Sequence, residues 1–264
     1  MDEHTPASDP VGLEIDGSIA RITLNRPERR NAMNRAAWAR LRERVAEVAA
    51  DSSVRVAIVR GAGPSFCAGA DMKAGPMPDH PLRHMRAISD PVRELFELPI
   101  PTVAAVQGAA VGAGWNIALA CDFVVCADDA RFSQIFARRA LSVDTGGSWL
   151  LPRLVGMQQA KRLLYLAEMI SADEALALGL VLRVVPAAEL DAEVTAFARR
   201  LAAGAPATLR LNKELVNGTW EASLAEQMLR ENVAQAVNFA TDVPAARAAI
   251  ERGEEPVFEG KWQL

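Results

Sequence analysis

Two turns of small residues are placed where backbone amides could reach a carbonyl group. Ala68-Gly69-Ala70 follows the apolar run 54–60, and Gly112-Ala113-Gly114 follows the apolar run 102–106. Small residues let a ligand approach the backbone, and amides at the start of a helix have no intrahelical acceptor. Two convergent N–H groups would form an oxyanion hole, in which each donor is worth about 2.7–4 kcal/mol in the transition state. The alternative is that the small residues only let a helix pack closely on a strand.

The segments that must position these turns alternate between strand and helix patterns. Residues 18–25 alternate apolar and polar side chains, which predicts a strand, and residues 34–50 carry apolar side chains at helical spacing behind an Asn34 N-cap. Nearly continuous apolar runs predict further strands that are covered on both faces, at 54–61, 102–108 and 122–128. This alternation predicts an α/β fold with a largely parallel sheet.

Strand patterns stop near residue 187, which divides the chain into three parts. Residues 1–10 are acidic and contain proline, so we expect a mobile tail. Residues 11–187 form the predicted core. Residues 188–264 carry helical patterns, including 206–217 and 224–240, with apolar faces and no sheet to cover them. We therefore expect a helical appendage that takes part in oligomerisation.

Composition restricts the class of partner. The net charge of −4 comes from 29 basic and 33 acidic residues spread along the chain. No basic face is offered, so neither nucleic acid nor an anionic membrane is an expected partner. The sequence has no leader pattern and no apolar run of about 18 residues, which favours a cytoplasmic protein. Small-molecule chemistry is the expectation.

Cysteine and histidine usage argues against a metal site. The three cysteines lie in apolar settings without C-x-x-C spacing and are predicted to be reduced core thiols: Cys67, Cys121 and Cys126. Histidines are too few and too scattered for zinc, and no G-x-G-x-x-G opens a helix after the first strand. We expect no metal and no redox cofactor.

Five stretches in register resemble one family. They are "LNRPERRNAMN", "PSFCAGADMK", "PTVAAVQGAAVGAGWNIALACDFVVCADDARF", "DTGGSWLLPRLVG" and "ISADEALALGLVLRVVP". Together they resemble the enoyl-CoA hydratase/isomerase, or crotonase, superfamily, from about residue 13 to "PVFEGK". The resemblance implies a crotonase (ClpP-like) spiral of ββα units with a C-terminal helical trimerisation region. It also implies an acyl-CoA thioester substrate, with coenzyme A as part of the substrate rather than a cofactor, and a homotrimer or dimer of trimers.

The resemblance assigns roles residue by residue. The oxyanion donors would be the backbone amides of Ala70 and Ala113. Ala68, Asp71 and Met72, which flank the first turn, would line the adenine end of coenzyme A. Arg29 and Ala32 in "PERRNA" match positions that contact the nucleotide. Phe258 and Lys261 match a C-terminal contact that in the family can reach a neighbouring subunit's ligand. A solvated arginine and a capping lysine are the alternative interpretations of Arg29 and Lys261.

The reaction depends on the groups placed over the acyl carbons. In the family's hydratases two glutamates hold the water that adds to the double bond, and their positions here are occupied by Asn116 and Phe136. An amide is not a general base and a phenyl ring cannot hold water, which disfavours ordinary hydration. Asn116 could instead orient the thioester, or be a satisfied polar residue that faces the pocket.

Asp144 remains as a candidate acid/base. The segment "FSQIFARRALSVDTGGSWLLPRLVG" resembles the branch that contains epoxyphenylacetyl-CoA isomerase and Δ3,Δ2-enoyl-CoA isomerases, in which this aspartate is the acid/base. One carboxylate suffices to move a proton from the alpha to the gamma carbon of an enolate that two amides stabilise. An apolar wall would raise its pKa, and we expect that wall to be formed by Trp115, Phe136, Trp149 and Leu150.

Several alternatives remain open from the sequence. Asp144 could be an ordinary helix N-cap, or a nucleophile as in the dehalogenase branch. The protein could be an enoyl-CoA hydratase or another crotonase lyase or hydrolase, or a non-catalytic acyl-CoA-binding member. His80 and His84 lie in "MPDHPLRHMRA", which we interpret as a proline-rich loop over the substrate mouth.

Overall fold

The computed structural model describes residues 9–73, 75 and 80–261. In chain order the strands are β1 (Val11–Asp16), β2 (Ile19–Leu24), β3 (Val56–Gly61), β4 (Thr102–Val106), β5 (Ala109–Val111), β6 (Phe123–Ala127), β7 (Arg131–Ser133), β8 (Ile170–Ser171) and β9 (Arg183–Val185). The α-helices are α1 (Arg35–Ala50), α2 (Pro81–Phe96), α3 (Ala113–Leu119), α4 (Gly147–Leu166), α5 (Ala172–Ala177), α6 (Leu190–Ala202), α7 (Pro206–Asn217), α8 (Leu224–Ala240) and α9 (Val243–Arg252).

Two sheets organise these elements. The larger has the order β1-β2-β3-β4-β6-β9, and the smaller has the order β5-β7-β8. β1 is antiparallel to β2, whereas β2, β3, β4, β6 and β9 run parallel to their neighbours. The predicted α/β architecture with a largely parallel sheet is confirmed. Parallel neighbours bring the carboxyl ends of β3 and β4, and therefore the two small-residue turns, to the same edge.

Local signals explain the helices that the sequence predicted well. The Asn34 side chain accepts a hydrogen bond from the amide of Ala37 and caps α1, as predicted. The helices predicted at 206–217 and 224–240 are present with those bounds as α7 and α8. Ser223 begins α8 with a capping box completed by Glu226, which fixes the start of that helix.

Helix α6 covers the second face of the large sheet, so the core extends beyond the expected boundary at residue 187. The last strand, β9, ends at Val185, in agreement with the prediction. However, α6 is not part of an appendage, since its apolar side chains Leu190, Val194 and Ala198 pack in one buried cluster with strand residues. The sheet therefore has a helix on this face too, and its hydrophobic core extends to Ala202.

Asp9, near the end of the predicted mobile tail, contacts helix α1. Residues 1–8, including His4, lie outside the described residues. Asp9 is anchored, because its carboxylate accepts hydrogen bonds from Arg40 at 2.8 Å and Arg44 at 2.5 Å on α1. These contacts, led by the bond from Arg40, hold the pKa of Asp9 well below its usual range.

A helix replaces most of the expected loop over the site. His80 is the N-cap of α2, and its Nδ1 accepts a hydrogen bond from the amide of Leu82. His84 lies within the same helix. Pro81 at the first turn is compatible with a helix, and Pro91 is accommodated inside it, so the prolines misled the sequence interpretation. Residues 77–79 of the predicted loop lie outside the described residues.

Helix α7 is held to the core by a partly buried ion pair. Lys213 Nζ lies 2.9 Å from Asp122 Oδ2 and donates to the carbonyl of Ile100, and only 9% of the Lys213 side chain is exposed. Asp122 Oδ2 also accepts from the amide and hydroxyl of Thr102. The pair therefore connects α7 with the start of β4 and with the residue preceding β6.

We expect Lys213→Met to lower the free energy of unfolding by about 1–3 kcal/mol, because Asp122 keeps its burial and loses its cation. Urea unfolding measures this. Arg210→Met on the same helix is the matched control, since the Arg210–Glu214 pair is exposed and should contribute about 0.3–0.5 kcal/mol. Equal effects of the two substitutions would contradict the anchoring role.

The described part of the chain contains no helix that is long and apolar enough to cross a membrane.

The three cysteines are free and buried, as predicted. Burial raises the pKa of the Cys67 thiol to about 12, so it stays protonated, and its Sγ accepts the amide of Gly69 beneath the first turn.

Candidate active site

The two small-residue turns lie against each other. A methyl group on Gly69 would come within 2.7 Å of the Val111 carbonyl oxygen and 3.8 Å of the Ala113 amide nitrogen. A methyl group on Gly114 would lie 2.4 Å from the carbonyl oxygen of Cys67. The contacts with the carbonyl oxygens of Val111 and Cys67 are too short for a real side chain, so only glycine permits this approach. The close packing is what the simpler interpretation predicted, but it also brings both turns to one place.

The amide of Ala70 is directed away from Met33, the residue with which Ala70 pairs. Ala70 forms an isolated parallel bridge with Met33, in which Met33 makes both hydrogen bonds. The Met33 N–H donates to the Gly69 carbonyl at 2.8 Å, and the Met33 carbonyl accepts from the Asp71 amide at 3.0 Å. In this pattern the N–H of the intervening residue points to the other side. The Ala70 amide has no acceptor within the described part of the chain.

The amide of Ala113 is free for a different reason. Gly112 adopts φ 55°, and α3 begins at the next residue. The first helical hydrogen bond joins the Asn116 amide to the Gly112 carbonyl, so Ala113 donates to no residue that the structure describes. Both predicted oxyanion donors are therefore available on adjoining turns.

Asp144 lies just before α4 on a loop that approaches α3. Its side chain is half-buried, and Oδ1 accepts a hydrogen bond from the Thr145 hydroxyl at 3.0 Å. Burial raises the pKa of Asp144 above its usual value, and the Thr145 hydrogen bond opposes part of that rise. The N-cap of α4 is Gly146, with no side-chain capping bond, so Asp144 is not the simple helix cap that its sequence context also suggested.

Asn116 is a support for this loop and not a contact for the thioester. It is completely buried, and its Nδ2 donates to the Asp144 carbonyl at 2.9 Å and to the Thr145 hydroxyl at 3.1 Å. Its Oδ1 accepts from Gln134 Nε2 at 2.8 Å. Both amide hydrogens are used, which leaves none for a substrate. The second interpretation of Asn116, a satisfied polar residue, is the better one.

The four residues predicted to form an apolar wall separate into three locations. The ring of Phe136 borders the second turn, 3.6 Å from where a methyl group on Gly112 would lie. Trp149 and Leu150 line a cavity of about 450 Å³ between α2, α4 and α7, where Trp149 packs edge-on against Phe96. Asp144 is not among the residues that line this cavity.

Trp115 does not line a pocket, contrary to the prediction. It is completely buried in the main core and packs against Phe132 with ring centroids 5.3 Å apart. Its Nε1 has no hydrogen-bond partner among the described residues. The position follows from helical geometry, because Trp115 and Asn116 project from different faces of α3 and only one of these faces meets the Asp144 loop.

The residues predicted to contact the nucleotide part of coenzyme A form a contiguous surface. The backbone joins its two segments, since the Ala68 amide donates to the Arg30 carbonyl at 2.9 Å. Arg29 and Met72 are exposed, whereas Ala32 is buried. The predicted residues come together on two adjacent segments, 29–32 and 68–72.

Asp71 is committed to an ion pair that the sequence analysis missed. Its carboxylate lies 2.9 Å from Arg26, which also donates to the carbonyl of Ala32. Burial acts to raise the pKa of Asp71, but the Arg26 hydrogen bond and the nearby charge of Arg29 hold it below the usual value. The Asp71 side chain therefore ties the two segments together.

Phe258 and Lys261 lie away from this surface in the same chain. The Phe258 carbonyl accepts a hydrogen bond from Arg55 at 2.7 Å, and Arg55 immediately precedes β3. The first turn follows the other end of β3. The side chain of Lys261 is exposed and pairs with Glu259 at 2.8 Å. Neither residue joins its own chain's site, so their predicted contact requires a neighbouring subunit.

Sequence reasoning missed two residues of the Asp144 support. Gln134 is completely buried just before a short 3-10 helix, Ile135–Arg139, and Thr145 is nearly so. Neither residue type is distinctive on its own, and they lie 18 and 29 residues from Asn116 in the sequence. Only the fold brings both to Asn116.

Comparison with known proteins identifies the family of the chain. The sequence pattern of the enoyl-CoA hydratase/isomerase family matches residues 14–260. The chain belongs to this family. It is 34% identical to the 1,2-epoxyphenylacetyl-CoA isomerase of Escherichia coli, covering 94% of this chain and 97% of that protein. It is 35% identical to the short-chain-enoyl-CoA hydratase of Clostridium acetobutylicum, covering 95% and 98%.

Solved structures show the same fold for the enoyl-CoA hydratase/isomerase family. The enoyl-CoA hydratase of Bacillus anthracis superimposes with a TM-score of 0.91 at 31% identity, covering 96% of this chain and all of that chain. A Thermobifida fusca protein solved in complex with CoA gives a TM-score of 0.80 at 36% identity, covering 88% and 93%. The crotonase fold that the sequence motifs implied is thus confirmed. The chain is a crotonase-superfamily hydratase/isomerase, and its relatives include enzymes of both names.

Proposed function

We propose that this family member is an acyl-CoA isomerase that shifts a double bond, or rearranges a ring, through a thioester enolate. The observation that carries the proposal is that Asn116 of α3 holds the loop of the Asp144 carboxyl group, while the amide of Ala113 at the start of the same helix is free. Asp144 occupies the loop beside α3, while the positions at which hydratases of the family carry glutamates hold Asn116 and Phe136. The Asn116 amide is fully used by its neighbours.

The chemistry requires one group that accepts and returns a proton. The carboxylate of Asp144 removes a proton from the carbon alpha to the thioester, and the electron pair moves onto the carbonyl oxygen. The amides of Ala70 and Ala113 stabilise that oxyanion. Asp144 then returns the proton at the gamma carbon, and the double bond moves without any change in mass. Hydration would need a held water molecule, and the ring of Phe136 offers no acceptor for one.

Coenzyme A is proposed to enter as part of the substrate and to lie along segments 29–32 and 68–72. The Thermobifida fusca relative in complex with CoA supports this assignment. The relative from E. coli, which by its name isomerises 1,2-epoxyphenylacetyl-CoA, supports an acyl group of that size. No other cofactor is part of the proposal.

A homotrimer, or a dimer of trimers, is proposed for the assembly. Large apolar side chains on α4, α7, the following 3-10 helix and α8 are exposed in the single chain: Leu154, Met157, Val216, Trp220, Leu224, Met228, Leu229 and Val233. Such a surface favours burial against another subunit. Light scattering after gel filtration should give three or six times the chain mass of 28.4 kDa.

The test of the reaction uses trans-3-enoyl-CoA and trans-2-enoyl-CoA in water enriched in oxygen-18. We expect conversion of the 3-enoyl substrate to its 2-enoyl isomer with unchanged mass, and no addition of labelled water to the 2-enoyl substrate. Incorporation of oxygen-18 into the product would show that the protein is a hydratase. If neither substrate reacts, an aryl acyl-CoA or its ring epoxide is the next substrate to assay.

The pH dependence should report the buried carboxyl group. Because burial raises the pKa of Asp144, the base form is populated only above that raised pKa. We therefore expect kcat/KM to rise with pH through a midpoint above the ordinary aspartate value of about 3.9. A kcat/KM profile without an acid limb, or with a midpoint at the ordinary value, would argue against Asp144 as the base.

A further inference from the structure

Thr145 has a backbone conformation that its residue type disfavours. It adopts φ 46°, in the left-handed region, and only 2% of it is exposed. The other non-glycine residues with positive φ in the described part of the chain are not β-branched: Arg30, Asn31, Ala140 and Ala167. A β-branched residue in this region is an outlier, and such strain persists only where the surroundings hold it. The conformation needs a reason, and the side chain provides one.

The Thr145 hydroxyl is one link in a directed chain of hydrogen bonds. Gln134 donates to Asn116, and Asn116 Nδ2 donates to Thr145 Oγ1 at 3.1 Å. Because Oγ1 accepts this bond, its own hydrogen is free to point onward, and it donates to Asp144 Oδ1 at 3.0 Å. Each donor in the chain polarises the next one. The chain of donors thus ends at Oδ1 of the Asp144 carboxylate.

The loop backbone is fixed by the same side chain. Asn116 also donates to the carbonyl of Asp144, and a methyl group on Gly147 would lie 2.7 Å from Asn116 Nδ2. The loop therefore rests directly on the amide that orients Thr145. Oδ2 of Asp144 has no hydrogen bond to any described residue, so one oxygen is held and the other is free.

We propose that Thr145 is a positioning residue, which holds Oδ1 of Asp144 so that Oδ2 faces the substrate and carries the proton. This rests on the proposed isomerase function for its role in turnover, but the hold on the carboxylate is independent of the reaction. Asn116 donates to the Thr145 hydroxyl, and Gln134 donates to Asn116. Both residues therefore keep the Thr145 hydroxyl in the orientation in which it donates to Asp144.

The surroundings of Asp144 make this hydrogen bond important for its titration. Burial and the Thr145 bond are the causes of its pKa shift, and no ion pair to Asp144 is found among the described residues. Titratable side chains on α4 and on the elements that contact it include Arg138 and Arg139 of the 3-10 helix, Arg153 of α4, and His84, Arg86 and Asp90 of α2, which packs on α4 through Phe96 and Trp149. Loss of the Thr145 donor should therefore raise the pKa of Asp144 further, since burial would then act unopposed.

The test measures the carboxyl group directly as well as turnover. Protein labelled with carbon-13 at the aspartate carboxyl groups would be titrated by NMR, with Asp144→Asn used to assign the Asp144 signal. Thr145→Val removes the hydroxyl at nearly constant volume. Thr145→Ala removes it without a β-branch, in case valine does not fold at this φ. Thr145→Ser keeps the hydroxyl and should restore wild-type behaviour.

We expect the Asp144 pKa to rise in the valine and alanine variants and to stay near wild type in the serine variant. In the isomerase assay kcat should fall roughly 10- to 100-fold with little change in KM, in line with the loss of a hydrogen bond to a charged group. Thr241→Val is the matched control, because Thr241 is equally buried and its hydroxyl donates to a helix carbonyl in α8.

The outcomes separate this proposal from the proposed function. An unchanged Asp144 pKa in both hydroxyl-free variants would overturn the role of Thr145, whatever the turnover. If the Asp144 pKa rises in the variants but the wild-type protein has no isomerase activity, the hydrogen bond from Thr145 to Asp144 is supported. Only the proposed isomerase function is then contradicted. A raised pKa with undiminished kcat would show that the held oxygen does not matter for turnover and would overturn the positioning role.

Discussion

Asp144→Asn should abolish isomerisation and leave the fold intact. We expect kcat to fall by about 10²–10⁴, the usual range for the loss of a general acid/base. The change preserves the shape of the side chain, so the affinity for a non-reacting acyl-CoA should change little. Isothermal titration with the saturated thioester measures that affinity and separates loss of chemistry from loss of binding.

The same variant should be at least as stable as the wild type at neutral pH. A carboxyl group whose pKa is raised in the folded state stabilises the protein below its unfolded pKa, and this contribution is lost as the pH rises through the folded value. Burial raises the pKa of Asp144, so its ionised form weakens the fold at neutral pH. Asn removes that charge. A variant that is inactive because it is less stable would contradict this account, and thermal melts at two pH values would reveal it.

Gly114→Ala should separate the two turns that carry the proposed oxyanion donors. The added methyl group would lie 2.4 Å from the Cys67 carbonyl oxygen and 2.8 Å from its Sγ, and the nearest atom is backbone that cannot turn away. The first turn and the start of α3 must therefore move apart, which would increase the separation of the turns that carry the Ala70 and Ala113 amides. We expect a fall in kcat of about 10²–10³, as for the loss of one oxyanion donor.

The matched control for this variant is Gly12→Ala in β1. A methyl group there meets no atom within 4 Å, and Gly12 has no positive φ, so catalysis should be unaffected. The assay compares kcat and KM of the two variants with the wild type. Wild-type turnover in Gly114→Ala would mean that the close approach of the turns serves packing only, as the simpler interpretation of the small residues holds.

The sequence was informative where local patterns determine structure. The Asn34 cap, the strands after which both turns follow, and the bounds of α7 and α8 are all set by periodicity and capping, which act over a few residues. It was less informative where tertiary contacts decide. The polar-looking segment around His80 is a helix, because a proline at the first turn does not prevent one.

The residues of the candidate site also differ in how far the sequence predicted them. The assignments of Ala70, Ala113 and Asp144 come from the family resemblance, and neither amide has an acceptor among the described residues. The roles of Asn116 and Thr145 do not follow, because they depend on which side of α3 faces the Asp144 loop. The Trp115 prediction failed for the same reason, since one residue along a helix changes the direction of a side chain by about 100°.

One measurement tests the central claim most directly, namely whether Asp144 carries the proton between two carbons. A 3-enoyl-CoA deuterated at the alpha carbon would be converted in a single turnover in ordinary water. If one carboxylate removes and returns the proton, part of the deuterium should appear at the gamma carbon in the wild type, and the Asp144→Asn variant should form no product. Product that carries deuterium at the gamma carbon in the variant, or water-derived oxygen in the wild type, would contradict Asp144 as the proton carrier.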